Sequence, residues 1–315
     1  MNGHLHCLKY ALDNSCDYDS STYSLAAENG HLHCLKLLYE KSSASSVVMG
    51  EKNRTHCVTT LLWDRATCYL AAKNGHLNCL EYAYSHGCPS DDAMVCSHAA
   101  SKGRLDILHF AGRHQLQWDI NATNNAAENG YLECLQYLVD HGCVHNSTTA
   151  ACAAMNGHLH CLKYLHNIGC EWDEETCRWA ASNGHIHCLH YAHDHGCPWD
   201  ATICSSAAEK GFLECLIYAF EGGCEWDELT CSNAAKNGQL HVLQYAHQNG
   251  CRWNEDTCSW AASNGHIHCL QYAHENGCPW NEETTIWAFN NSHVECYEYA
   301  TKHGCATGKK KCVIS

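Results

Sequence analysis

The chain is short of proline, of basic charge and of long apolar runs. It has 3 prolines in 315 residues, and 19 Lys and Arg face 34 Asp and Glu, for a net charge of −15 with histidine neutral. A surface so acidic disfavours nucleic acid as a partner, because phosphate contacts need basic residues. With 45% apolar and 10% aromatic residues, the composition excludes collagen-like and disordered classes. No stretch approaches the roughly 18 apolar residues that would cross a bilayer. The opening segment MNGHLHCLKYALDNSC has neither the basic start nor the apolar centre of a secretory signal. The expectation is a cytoplasmic, non-secreted protein whose thiols stay reduced.

What the chain has in excess is cysteine and histidine, 27 of each. Such density usually marks a small disulfide scaffold, yet a chain this long can bury a core without staples. Internal repetition supplies the organisation. Asn-Gly or Lys-Gly, followed by an apolar pair around Cys-Leu, recurs from Asn2 to Asn291 in eleven copies, and the spacing is 27 residues in eight of the ten steps. One step is 28, and the step from Asn29 to Asn74 is 45, which is one period plus an 18-residue insertion. The insertion falls within residues 41–61, a serine-rich stretch expected to form a surface loop. Residues 1–305 therefore form one repeat domain, and residues 306–315 a flexible tail.

A clean unit is Trp172 to Tyr191, WDEETCRWAASNGHIHCLHY. Asp173 can cap a helix A whose first turn carries Glu174 and Glu175. Cys177, Ala180 and Ala181 share one face at helical spacing. Asn183 and Gly184 break that helix, and a helix B carries Ile186, Cys188, Leu189 and Ala192 on its apolar side before Gly196 ends it. The leucine-rich strand pattern is absent, so the fold class is all-α, a solenoid of about eleven stacked helix-turn-helix units.

Thr176, Ala180, Ala181, Gly184, His185, Ile186, Cys188, Leu189 and Gly196 together resemble the ankyrin repeat, and similar sets recur along almost the whole chain. The period is about six residues shorter than the ankyrin period. Only Cys197 to Ala201 fills the space where the family builds a β-hairpin, and a Thr-Cys run replaces the family's Thr-Pro-Leu-His. The unit is most similar to the short, Cys/His-rich ankyrin variants abundant in large DNA viruses of protists and in some protists. The resemblance implies stacked helix pairs without projecting hairpins, a protein-protein interaction role, a structural hydrogen-bonding role for the histidine of the Gly-His turn, and host-virus interaction as a setting.

Most cysteines occupy three slots: nine in helix B, nine just after its terminal glycine or its equivalent, and six early in helix A. The same slots also accept Ile107, Val242 and Leu116, which a metal ligand could not tolerate and a buried free thiol can. Core filling is the primary reading and structural zinc the alternative, which would make the chain a metal-binding or metal-sensing repeat protein. No cofactor is expected. His187, His190 and His193 follow one another at i, i+3 on one helix, a spacing open to a transition-metal clasp or to a solvated face.

Helix A carries the variable residues. Tryptophan and arginine are enriched at binding hot spots, so Arg178, Trp179, Trp260 and Trp287 are the candidate contacts for an unknown protein partner; the indoles could equally pack between helices. The chain ends Cys312-Val313-Ile314-Ser315, a prenylation box of the farnesyl type, directly after Lys309, Lys310 and Lys311. The expected partners of this tail are a prenyltransferase and an anionic membrane, placing the protein peripherally on a cytosolic membrane face. No catalytic ordering of Ser, His and Asp and no phosphate-binding loop stands out, so the chain is expected not to be an enzyme.

Overall fold

The computed structural model describes residues 3–14, 16, 18–48 and 63–307, and among them the chain forms twenty-one helices and no strand. Two compact units divide it, one ending at Thr149 and one starting at Ala150. The first contains α1 (Leu5–Asp13), α2 (Ser20–Glu28), α3 (Leu32–Val48), α4 (Arg65–Lys73), α5 (Leu77–Ser85), α6 (Asp92–Ser101), α7 (Leu105–Arg113), α8 (Ile120–Glu128) and α9 (Leu132–Asp140); the division falls inside α10 (Ser147–Met155). The second contains α11 (Leu159–Asn167), α12 (Glu174–Ser182), α13 (Ile186–Asp194), α14 (Thr202–Lys210), α15 (Leu213–Glu221), α16 (Glu228–Lys236), α17 (Leu240–Gln248), α18 (Glu255–Ser263), α19 (Ile267–Glu275), α20 (Glu282–Asn290) and α21 (Val294–Lys302). Even-numbered helices are the A helices and odd-numbered ones the B helices. Within each unit every A helix packs on the next A helix and on its own B helix. Each unit is thus a helical-repeat solenoid, and the all-α class expected from the spacing is what is seen.

Nearly all these helices are nine or ten residues long. Alone, helices of that length are marginal in water, so burial must hold them. The A helices start well: Asp227, in extended conformation, accepts the amide of Leu229, and Asn254 and Asn281 do the same two residues on. Asp173 takes the same conformation but makes no side-chain capping bond. Inside, Ala180, Ala181, Leu189 and Ala192 are completely buried and Cys188 nearly so. A leucine buried in this way contributes about 1.5–3 kcal/mol, whereas the alanine pair serves mainly by letting helices approach closely.

Both turns of the unit close in the same manner. After α12, Gly184 donates to the carbonyl of Ala181 and His185 to that of Ala180; after α13, Gly196 donates to His193 and Cys197 to Ala192. This pairing requires left-handed backbone at the glycine, and φ is 76° at Gly184 and 84° at Gly196. It also positions the cysteine after the glycine, whose amide is held by Ala192 while its thiol reaches the Asp173 carbonyl ahead of α12.

α3 departs from the expected loop at residues 41–61. The polar stretch continues the helix as far as Val48, because Lys41 to Val48 contains neither glycine nor proline to stop it. The rest of that insertion, residues 49–61, lies outside the described residues.

Five repeats carry cysteine in both the helix-A slot and the loop slot: Cys68 with Cys88, Cys177 with Cys197, Cys204 with Cys224, Cys231 with Cys251, and Cys258 with Cys278. The helix thiol turns toward the loop backbone, Cys204 lying 4.0 Å from the carbonyl of Cys224 and Cys231 the same distance from that of Cys251. All ten are reduced and at most 5% exposed. The loop thiol in turn approaches the backbone carbonyl just before its helix A, as Cys197 does with Asp173 at 3.2 Å and Cys224 with Asp200 at 2.9 Å.

Candidate interaction surface

The A helices present one register to solvent. Four residues before the turns that follow α12, α14, α16, α18 and α20 come Trp179, Ser206, Asn233, Trp260 and Trp287. The alanine that follows this position, Ala180, Ala261 or Ala288, is fully buried, and the indoles stand outward at 38%, 42% and 47% exposure. The alternative of packing wholly between helices does not describe them. Arg178, half-buried, forms an ion pair with Glu175 one turn back, and its guanidinium lies 5.4 Å from the Trp179 ring. Lys236, at the end of α16, stands 4.7 Å over the Trp260 ring from the preceding repeat. Each of these two indoles therefore carries a cation against it, an arrangement worth about 0.5–1 kcal/mol at an exposed site. Phe289 on α20, 56% exposed, extends the apolar surface beyond Trp287.

The candidate residues fall into two places on the stack. Trp260 and Trp287 occupy neighbouring repeats, whereas Trp179 with Arg178 is separated from them by Ser206 and Asn233. Lys236 and Phe289 were missed from sequence. Lys236 falls at the end of helix A, where lysine also serves the helix dipole. Phe289 replaces the second alanine of the Ala-Ala pair, and that break in pattern is a legible signal.

The B helices carry a second array. His193 stacks on Trp199 with ring centroids 3.5 Å apart, and its Nδ1 lies 3.0 Å from the Tyr218 hydroxyl of the next repeat. The same triad recurs as His166, Trp172 and Tyr191, as His247, Trp253 and Tyr272, and as His274, Trp280 and Tyr299. Phe220 keeps the stack on Trp226 without the hydrogen bond. His190 stacks on Tyr218 at 3.6 Å. Of the stripe, His187 and His190 are exposed, as a solvated face requires, while His190 and His193 also join an aromatic ladder that the spacing did not show. Among the described residues no three of His, Cys, Asp and Glu stand together as a metal site. Burial holds His247 and His274 below the usual imidazole range, and it pushes Tyr218, which donates to Asp194, up to about 12. The signal in the sequence is His followed six residues later by Trp and twenty-five later by Tyr.

The turn histidine also packs against the glycine of the preceding repeat. A side chain added to Gly184 would meet the ring of Phe212, and one added to Gly157 would meet His185. The residue after the turn glycine covers the glycine of the preceding repeat, and at this contact phenylalanine serves as well as histidine. Cys312 and Lys309, Lys310 and Lys311 lie outside the described residues. Among the described residues no helix is long and apolar enough to cross a membrane.

The fold and this face define a helical-repeat protein. Residues 96–176 match the model of a family described as ankyrin repeats (3 copies). None of the curated proteins matches the chain. Among solved structures, the ankyrin repeat domain of human ASB11 is similar, with a TM-score of 0.44 and 17% sequence identity over 50% of this chain and 84% of that one. Ankyrin repeats generally mediate protein-protein interaction.

Proposed function

We propose that the chain is a non-enzymatic interaction scaffold. Its A helices engage a protein partner through Trp179, Trp260 and Trp287, with Arg178 beside the first. The observation that carries this reading is the half-exposed indole at one repeated position amid small and polar neighbours. Leaving an indole in water forgoes burial that a partner would restore, and tryptophan dominates binding hot spots. A partner captured by in-cell crosslinking would be purified and titrated against the intact chain and single alanine variants. Trp260→Ala or Trp287→Ala should cost about 2 kcal/mol, roughly thirtyfold in Kd, with the fold unchanged. Equal affinity for all variants would remove the face from the proposal.

The tail adds a location. A single prenyl chain on Cys312 binds membranes only marginally, and the three preceding lysines would contribute about 1 kcal/mol each on an anionic surface. Mass spectrometry of protein made in eukaryotic cells, with Cys312→Ser as control, tests it: a farnesyl adduct with the last three residues removed supports tethering, and an unmodified Cys312 with Ser315 retained ends it.

A further inference from the structure

Three A helices of the second unit carry the same pair of groups, a carboxylate and, four residues on, an outward indole: Glu175 with Trp179, Asp256 with Trp260 and Glu283 with Trp287. In the first two, a cation of the chain itself lies against the indole. Arg178 serves α12, pairing with Glu175 and lying 5.4 Å from the Trp179 ring, and Lys236, from the preceding repeat, stands 4.7 Å over Trp260 on α18. On α20 both sources are gone. Ile286 takes the place of Arg178, and Ser263 precedes Trp287 by the same interval at which Lys236 precedes Trp260. Among the described residues no cation lies over the Trp287 ring, and none pairs with Glu282 or Glu283. Trp287 is also the most exposed of the three indoles. The dipole of α20 accounts for carboxylates in its first turn but not for the indole one turn beyond them.

We propose that Trp287 and Glu283 form a site for a cationic side chain, a lysine ammonium or an arginine guanidinium, on a basic segment of the partner protein. The claim rests on the partner-binding reading of the A helices and adds the chemistry of that partner. An indole face attracts a cation through its ring quadrupole, and the carboxylate one turn back supplies the opposite charge. At Trp179 and Trp260 the scaffold makes this contact with an arginine and with a lysine of its own, so either basic side chain suits it. Ile286, standing where Arg178 stands on α12, offers apolar surface to the stem of such a side chain. Charge selects the same partner at longer range. Glu255, Asp256, Glu282 and Glu283 are all exposed on adjacent A helices, and the chain carries −15, so a basic segment is drawn in and a second copy of this chain is repelled.

The test measures, by fluorescence anisotropy, binding of a labelled, end-capped peptide of alternating lysine and serine to the intact chain, at low salt and about pH 8, where imidazole is neutral. Glu283→Gln and Trp287→Leu should each weaken binding about threefold, the size expected of exposed cation-ring and ion-pair contacts. Ser263→Lys, which restores the arrangement of Lys236 and Trp260, should fill the site from within and weaken binding as much. Ser206→Lys, the same added charge on α14, should change it far less. Equal effects of the two lysine variants would reduce the signal to net charge and overturn the proposal. Unchanged affinity for a peptide with norleucine in place of lysine would overturn it too; if Trp287→Leu still weakened that peptide, the partner face would stand and only its preference for cations would fall. Trp287→Leu without effect on either peptide removes both. A gain in affinity on changing Lys309, Lys310 and Lys311 to Ala that disappears in the Ser263→Lys background would give the site to the chain's own tail, against the proposal.

Discussion

At the scale of single residues, the fold draws its chemistry from atoms hidden from water. Burial pushes the Cys188 and Cys215 thiols up to about 11 and about 12, so neither holds much thiolate at neutral pH. Cys7, on α1, is exposed. Peptide mapping after brief alkylation should find Cys7 modified and Cys188 untouched until urea unfolds the chain; equal labelling of both in the native state would contradict the buried core. The two turn glycines separate conformation from contact. Gly196 has open space where a side chain would go, so Gly196→Ala should cost about 1–2 kcal/mol for left-handed backbone alone. Gly184→Ala must also displace Phe212, whose ring would stand 2.5 Å from the new carbon, and should cost more in urea unfolding.

Among elements, the ladder of His, Trp and Tyr along the B helices couples stability to pH. His247 and His274 are held below their ordinary value of 6.5 chiefly by burial, with His303 adding to the effect at His274 and Glu275 opposing it. His266 is lowered likewise, mainly by burial. Since the unfolded chain binds these protons more readily, the stabilisation is complete above pH 6.5 and is lost as pH falls below it. The urea midpoint should drop between pH 8 and pH 5. His247→Phe, which copies the Phe220 stack on Trp226, should flatten part of that slope while keeping the fold. A steeper slope in the variant would refute the assignment. The helices themselves were legible, because caps, alanine pairs and glycines repeat every 27 residues. The ladder was not, because a histidine on a polar face reads the same whether it meets water or the ring of the next repeat.

For the whole molecule, each repeat can bury its face only against neighbours. α1 has no buried residue, whereas α16 buries Thr230, Cys231, Ser232, Ala234 and Ala235. Hydrogen exchange should therefore be fast in α1 and slowest in the middle of the second unit; uniform protection would mean a single cooperative block instead. Charge acts at this scale too. Protonating all 27 histidines would turn the net −15 into +12, so the sign of the surface field is set by a narrow range of acidity.

Period, helical class and the small-residue core could be read from the order of amino acids, since a repeated pattern of alanine, glycine and leucine admits one way of stacking. Tertiary structure alone decided which polar and aromatic groups meet. It put Lys236 over Trp260, laid His193 against Trp199, carried α3 on to Val48 and set the Cys197 thiol on the carbonyl of Asp173. The reason is geometric: a periodic sequence specifies which face a residue takes, but the neighbour on that face belongs to a distant part of the chain and is chosen only when the repeats close on one another.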